Sequence, residues 1–237
     1  MSYFWRWVKN DIGEDRSLYL NGAIADAPYS WDDITPTAFR SELLSGTGDV
    51  TVWINSPGGD VFAAAEIYTM LKEYPGKVSV KIDGIAASAA SVIAMAGNEV
   101  FMSPVSYMII HNPATFAIGD SEEMLKTKAM LDEVKEGIVN AYEAKTGLPR
   151  GQISHLMDAE SCFNARKAVE LGFADGILYS EAAVTDNAEP VIFYRAMVTD
   201  SIINRLHQKK VSVSYDTLVD RLTKIDSRFN HPLCHDK

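Results

Sequence analysis

Short apolar runs alternate with helical stretches in the first three quarters of the chain, and turn residues separate them. The apolar runs are TGDVTVWIN, VSVKID, EVFM and SYMIIH, and the helical stretches are VFAAAEIYTMLKEY and residues 88–96. Strand and helix in alternation predict largely parallel strands joined by helical crossovers. We therefore expect an α/β fold.

The strand and helix pattern occupies the middle of the chain. We predict an N-terminal segment of residues 1–16, a main domain of residues 17–182 and a C-terminal extension of residues 183–237. The boundary near 182 rests on EAAVTDNAEPV, where the composition shifts and a proline interrupts the chain. Two amphipathic stretches predict a helical extension with a loose end.

The longest predicted helix covers residues 121–145, with Asp120 or Ser121 as its N-cap. GLP at residues 147–149 ends it. Residues at helical spacing predict one apolar face, made of Met124, Leu131, Val134, Ile138 and Tyr142.

The charge balance is acidic, with a formal net charge of −10. An acidic surface repels phosphate backbones, so we expect no nucleic-acid partner. Cys162 and Cys234 are the only cysteines, which favours reduced thiols in the cytoplasm. No apolar run is long enough for a membrane span or typical of a signal peptide, so we expect a cytoplasmic protein without a membrane partner.

Two glycine- or alanine-rich turns follow predicted strands. In NSPGGD, residues 55–60, backbone N–H groups at a helix N-terminus could stabilise a phosphate or a developing oxyanion, although an ordinary turn would look the same. In GIAASAAS, Ser88 lies at a strand-to-helix turn beside the N–H of Ala89, as in a nucleophile elbow. The alternative is a buried helix whose serines bond back to the preceding turn.

His111 closes the apolar run SYMIIH, at the sheet edge where α/β proteins collect their sites. A structural, hydrogen-bonded histidine is the alternative. Serine needs a base to become nucleophilic, and acyl transfer needs an oxyanion hole, so the three features together predict a serine peptidase. The pattern has no HExxH or CxxC pairing, and we expect neither a metal nor another cofactor.

These motifs resemble the ClpP peptidase family, and more closely its phage-type, prohead-protease-like branch, over roughly residues 17–180. NSPGG resembles the family's oxyanion-hole segment, GIAASAAS its nucleophile motif and MIIHNP its base motif. The resemblance implies stacked βαβ units of the ClpP/crotonase type with a protruding handle helix. It implies Ser88 as nucleophile, His111 as base, and Gly59 and Ala89 as oxyanion donors.

The third member of the implied triad lies in MDAESCFNARKAVELGFAD. Alignment on Gly172 places Glu160 at the family's acid position, and Asp158 is the nearby alternative. A backbone or side-chain amide could orient the imidazole instead. The neutral imidazole is the reactive form, so we expect activity to fall in acid.

The resemblance also implies partners. It predicts a homo-oligomer, as a heptameric ring or stacked rings, that cleaves peptides or unfolded proteins. A AAA+ unfoldase could deliver them, or the substrates could be phage capsid and scaffold proteins. The alternatives are an inactive, structural ring component in capsid assembly and a crotonase-type acyl-CoA enzyme.

Overall fold

The structure, a computed structural model, describes residues 5–9, 16–24 and 36–179. The predicted C-terminal extension of residues 183–237 lies outside the described residues. The predicted N-terminal segment of residues 1–16 is described only at residues 5–9 and 16.

Eight strands and six helices alternate through the described residues. The strands are β1 Trp5–Lys9, β2 Arg16–Asn21, β3 Val50–Ser56, β4 Val78–Ala87, β5 Glu99–Met102, β6 Tyr107–Ile109, β7 Cys162–Asn164 and β8 Gly176–Ile177. The helices are α1 Pro36–Leu44, α2 Val61–Lys72, α3 Ala89–Ala94, α4 Ser121–Thr146, α5 Arg150–Asp158 and α6 Ala165–Glu170. None of these helices is long and apolar enough to cross a membrane.

The strands form one mixed sheet in the order β1-β2-β3-β4-β5-β8, and β6 and β7 branch from β4. The pairs from β2 to β8 along this order are parallel, as is β4 with β6. Only β1 with β2 and β6 with β7 are antiparallel among the described pairs. The predicted α/β class and largely parallel sheet are therefore confirmed. The antiparallel strands β1 and β7 and the helix α5 were not predicted.

Alternation along β3 determines which sheet face is covered. Val50, Val52 and Ile54 are buried, whereas Thr51 and Trp53 between them are partly exposed. The buried residues of β3 and of α2 belong to one hydrophobic core. The N-cap of α2, Asp60, accepts a hydrogen bond from Ala63 N at 2.8 Å. Such a cap contributes about 1 kcal/mol to stability. The SPGG turn therefore leads directly into a helix held on the sheet.

The helix α4 is packed at one end and exposed at the other. Its C-terminal half buries Ile138, Val139, Ala141 and Tyr142. In its N-terminal half, Met124 is 40% exposed and Leu125 is 67% exposed. The predicted cap at Asp120 is confirmed. The predicted apolar face is therefore buried only toward the C-terminal end of the helix, and its first turns are exposed.

Candidate active site

Ser88 lies at the sharp turn between β4 and α3. Its backbone has φ 54° and ψ −127°, and its side chain does not cap the helix. Positive φ is costly for a residue with a Cβ, about 1–3 kcal/mol in such regions, and persists only where the surroundings enforce it. The backbone N–H of Ser88 donates to the carbonyl of Ile109 at 2.8 Å. The turn thus presents the serine hydroxyl free of hydrogen bonds to the described residues.

The SPGG turn lies against Ser88. A Cβ on Gly58 would come within 2.7 Å of Ser88 Cβ, and a Cβ on Gly59 within 1.9 Å of the Ile24 carbonyl oxygen. Only glycine fits at these two positions without a clash, and both have positive φ. The close approach brings the turn's backbone to the serine.

The N–H of Gly59 points away from β2. Ile24 donates to Gly58 O at 2.9 Å and accepts from Asp60 N at 3.0 Å, so the polar groups of Gly59 face the other side of the strand. On that side of β3 lies β4, which leads into Ser88. Neither Gly59 N–H nor Ala89 N–H has an acceptor among the described residues. Both donors are therefore available to a ligand beside Ser88.

His111 follows β6, two residues beyond the carbonyl that accepts from Ser88. Its Nδ1 lies 2.7 Å from the carbonyl oxygen of Asn112. Because a carbonyl can only accept, Nδ1 carries the proton, and Nε2 of the neutral ring is left with its lone pair. Nε2 is buried and has no hydrogen-bond partner among the described residues. This tautomer is the one that a general base requires.

Ser88 and His111 are not hydrogen-bonded to each other in this structure. Ala87 pairs with Ile109 in parallel register, so both residues stand just beyond the ends of neighbouring strands. Hydrogen bonds between a nucleophile and its base often shorten only when substrate binds.

The antiparallel pairing of β6 with β7 leads toward His111 on one strand and Glu160 on the other. Ile109 pairs with Cys162, and Ile110 N donates to Ser161 O at 3.0 Å. Continuing this register by one residue on each strand would bring His111 opposite Glu160. Glu160 also has positive φ, 49°, just after α5. Ser88 and Glu160 are two of three non-glycine residues with positive φ in the described part of the chain. At Glu160 the left-handed backbone also ends α5, because Ser161 N donates to Leu156 O and Glu160 N donates to Met157 O. At Ser88 no such helix end explains the positive φ.

Asp158 has other partners. Its Oδ1 accepts from Lys135 Nζ at 2.6 Å and from Asn112 Nδ2 at 2.9 Å. The hydrogen bonds from Lys135 and then Asn112 hold the pKa of this carboxyl below its usual value. Asp158 therefore holds the side chain of Asn112. The backbone carbonyl of Asn112, and not Asp158, contacts His111 Nδ1.

One further polar residue of the GIAASAAS motif contacts the backbone of Ser88, and the sequence reasoning did not assign it to the site. Ser91, three residues after Ser88, donates back to the Ser88 carbonyl. Back-bonding by serines in this helix was considered only as an alternative to function.

No group of three or more potential metal-ligating side chains exists among the residues that the structure describes.

The fold and the motif geometry agree with a comparison to known families. The model of the Clp protease family matches residues 5–181. The chain belongs to the Clp protease family. The match includes β1. Membership makes the chain a member of a peptidase family, as the motifs predicted.

Named relatives agree. The chain is 34% identical over 184 residues to an ATP-dependent Clp protease proteolytic subunit 1 of Chlamydia caviae, covering 73% of this chain and 92% of the relative. It is 29% identical over 174 residues to the proteolytic subunit of Carsonella ruddii, covering 71% and 86%. It is 25% identical over 178 residues to proteolytic subunit-related protein 2 of Arabidopsis thaliana, covering 73% of this chain and 63% of that longer protein.

Proposed function

We propose that this Clp-family chain is a serine endopeptidase with Ser88 as nucleophile and His111 as general base. One observation carries the proposal: adjacent strand ends bring the two residues to one edge of the sheet. Ala87 pairs with Ile109, and both catalytic candidates follow that pair within two residues.

The chemistry starts with the attack of Ser88 Oγ on a peptide carbonyl while His111 Nε2 takes the hydroxyl proton. The N–H groups of Gly59 and Ala89, which have no acceptor among the described residues, stabilise the oxyanion. His111 then protonates the leaving amine, and the acyl-enzyme forms. Water, deprotonated by the same imidazole, hydrolyses the ester and restores Ser88.

Glu160 is proposed to stabilise the imidazolium that forms during this transfer. Its support is the register opposite His111 and the strained backbone that the fold retains there. The carbonyl of Asn112 complements it by holding Nδ1–H. The Asn112 carbonyl thus selects the tautomer of His111, and the Glu160 carboxylate supplies the negative charge that stabilises the imidazolium.

The test uses a fluorophosphonate probe, which phosphonylates an activated serine, together with cleavage of an unfolded protein. Ser88→Ala should abolish both labelling and cleavage. Ser106→Ala is the matched control, because Ser106 is buried and its Oγ donates to a local carbonyl at 2.9 Å. Labelling of Ser88→Ala at the wild-type rate would refute the nucleophile. Absence of labelling in the wild type would favour an inactive ring component.

The extended segment after the base is the proposed substrate cleft. Residues 112–118 have no regular secondary structure, and residues 114–119 are exposed. A peptide could add there as a strand, with backbone hydrogen bonds that do not depend on its sequence. Comparing cleavage of one protein in folded and unfolded forms tests this. If only the unfolded form is cleaved, a AAA+ unfoldase would have to unfold folded substrates and deliver them to the peptidase.

A homo-oligomer is the proposed assembly, as a heptameric ring or stacked rings. The support is a run of exposed apolar side chains: Phe116 is 95%, Ile118 100% and Leu125 67% exposed. An exposed apolar patch indicates a protein interface, and these three side chains lie within ten residues of one another along the chain. Sedimentation should show a large assembly, and a monomer at micromolar concentration would contradict the proposal. From the resemblance to the phage-type branch, we further propose that the assembly cleaves scaffold and capsid proteins in a host cytoplasm.

A further inference from the structure

A buried chain of hydrogen bonds runs from α4 to the backbone of Ser88. Ser91 Oγ lies 2.5 Å from the Ser88 carbonyl oxygen and 2.8 Å from the hydroxyl of Tyr142. Ser91 N donates to the same carbonyl at 2.9 Å. Ser91 is 0% exposed and Tyr142 is 1% exposed. Water therefore cannot replace these partners.

The donor order in this chain is determined by the groups themselves. The Ser88 carbonyl can only accept, so Ser91 Oγ donates its single hydrogen to it. Tyr142 must then donate to Ser91 Oγ. Burial raises the pKa of the Tyr142 hydroxyl far above its usual value, against the smaller lowering effect of the Ser91 hydrogen bond. The hydroxyl consequently keeps its proton.

The carbonyl held by this chain shares a peptide plane with a candidate oxyanion donor. The C=O of Ser88 and the N–H of Ala89 belong to one rigid peptide group and point in opposite directions. Two hydrogen bonds to the oxygen therefore fix the direction of the Ala89 N–H. The backbone of Ser88 is strained, so contacts of this kind must hold it.

We propose that Ser91 and Tyr142 are positioning residues that clamp the Ser88–Ala89 peptide plane and so aim the Ala89 N–H at the oxyanion. The inference rests on the proposed function of Ser88. Neither side chain touches the substrate. Tyr142 acts through Ser91, and Ser91 acts through a backbone carbonyl.

Tyr142→Phe in the full chain is the decisive variant. It removes one hydroxyl but leaves the ring, which packs edge-on against Phe173 with the two ring centroids 5.4 Å apart. The rate of labelling by the fluorophosphonate probe should fall roughly fivefold to tenfold, the worth of one hydrogen bond. The kcat for peptide cleavage should fall by a similar factor with KM unchanged, because the clamp serves the transition state. Ser91→Ala should lose at least as much.

Tyr74→Phe is the matched control. Tyr74 is 7% exposed, and its hydroxyl donates to Gly48 O at 2.8 Å. This contact precedes β3 and β4, whereas Ser88 follows the opposite end of β4. It should lower the melting temperature comparably while labelling at the wild-type rate. A wild-type labelling rate in Tyr142→Phe would overturn the clamp, and so would an equal loss in Tyr74→Phe. Equal labelling of wild type and Ser88→Ala would instead refute the proposed nucleophile, whatever the tyrosine variant does.

Discussion

Glu160→Gln and Asp158→Asn form a pair that separates the two candidate acids. Each substitution removes one charge and keeps the size of the side chain. The β6–β7 register, continued beyond its last pair, would bring Glu160 opposite His111, whereas Asp158 Oδ1 accepts from Lys135 and Asn112. We expect Glu160→Gln to lower kcat strongly and Asp158→Asn to lower it little.

The magnitude follows from the strand geometry. Residues directly opposite on antiparallel strands have Cβ atoms about 5 Å apart. Side chains on such a pair can bring their charged groups to a similar separation, and at about 5 Å with an effective dielectric constant near 20 a carboxylate and an imidazolium attract by about 3 kcal/mol. Losing that attraction in the transition state corresponds to about a 100-fold fall in kcat.

The fall should stay well below the one seen when an acid substitution also changes the imidazole tautomer, which is about 10⁴-fold. The Asn112 carbonyl lies 2.7 Å from His111 Nδ1, so it preserves the tautomer in Glu160→Gln. Asp158 has a side chain that is 54% exposed, and solvent screens its charge. Its substitution should change kcat by about threefold at most.

The assay is steady-state cleavage of a chromogenic peptide, with melting temperatures to show that both variants fold. Full activity in Glu160→Gln, or a larger loss in Asp158→Asn, would refute the reasoning from register. In that case Asp158, the last residue of α5, would be the acid that acts on His111.

Three further predictions concern the backbone and acid stability. Glu160→Gly should be more stable to urea than Glu160→Ala by about 1 kcal/mol, because both lose the carboxylate and only glycine accepts positive φ freely. Gly59→Ala should lose both probe labelling and thermal stability, since its Cβ would lie 1.9 Å from the Ile24 carbonyl oxygen; wild-type labelling would contradict the tight turn. Asp158 has a lowered pKa, so its ionised form stabilises the fold above the usual carboxyl range, and this contribution is lost as pH falls through the lowered value. The stability difference between wild type and Asp158→Asn should therefore shrink in acid unfolding experiments, and a difference that grows would contradict the assigned sign.

Local signals made part of the site predictable. The turn from β3 into α2 combines two glycines with Asp60 as a helix cap, and all of these act within six residues. The turn at Ser88 is likewise local. Such features are visible in sequence because their physical causes lie close together along the chain.

Long-range pairing made the rest unpredictable. The strand β7 has only three residues, and it pairs with β6 across more than fifty residues. Neither segment alone shows that pairing, so the place of Glu160 followed from family resemblance. The contact of Ser91 with Tyr142 depends on how α4 packs on α3, which no local pattern encodes. The exposure of the first turns of α4 could not be predicted, because amphipathic spacing does not say what covers the apolar face.

Positive φ at Ser88 and Glu160 has a consequence for engineering this chain. Glycine would relax the backbone at either position and would remove a proposed participant in the chemistry. A library screened for heat resistance alone should therefore enrich glycine at both positions and lose cleavage as it does so. Directed evolution of a more stable form would need selection for turnover in every round, because glycine at these two positions improves folding and removes function.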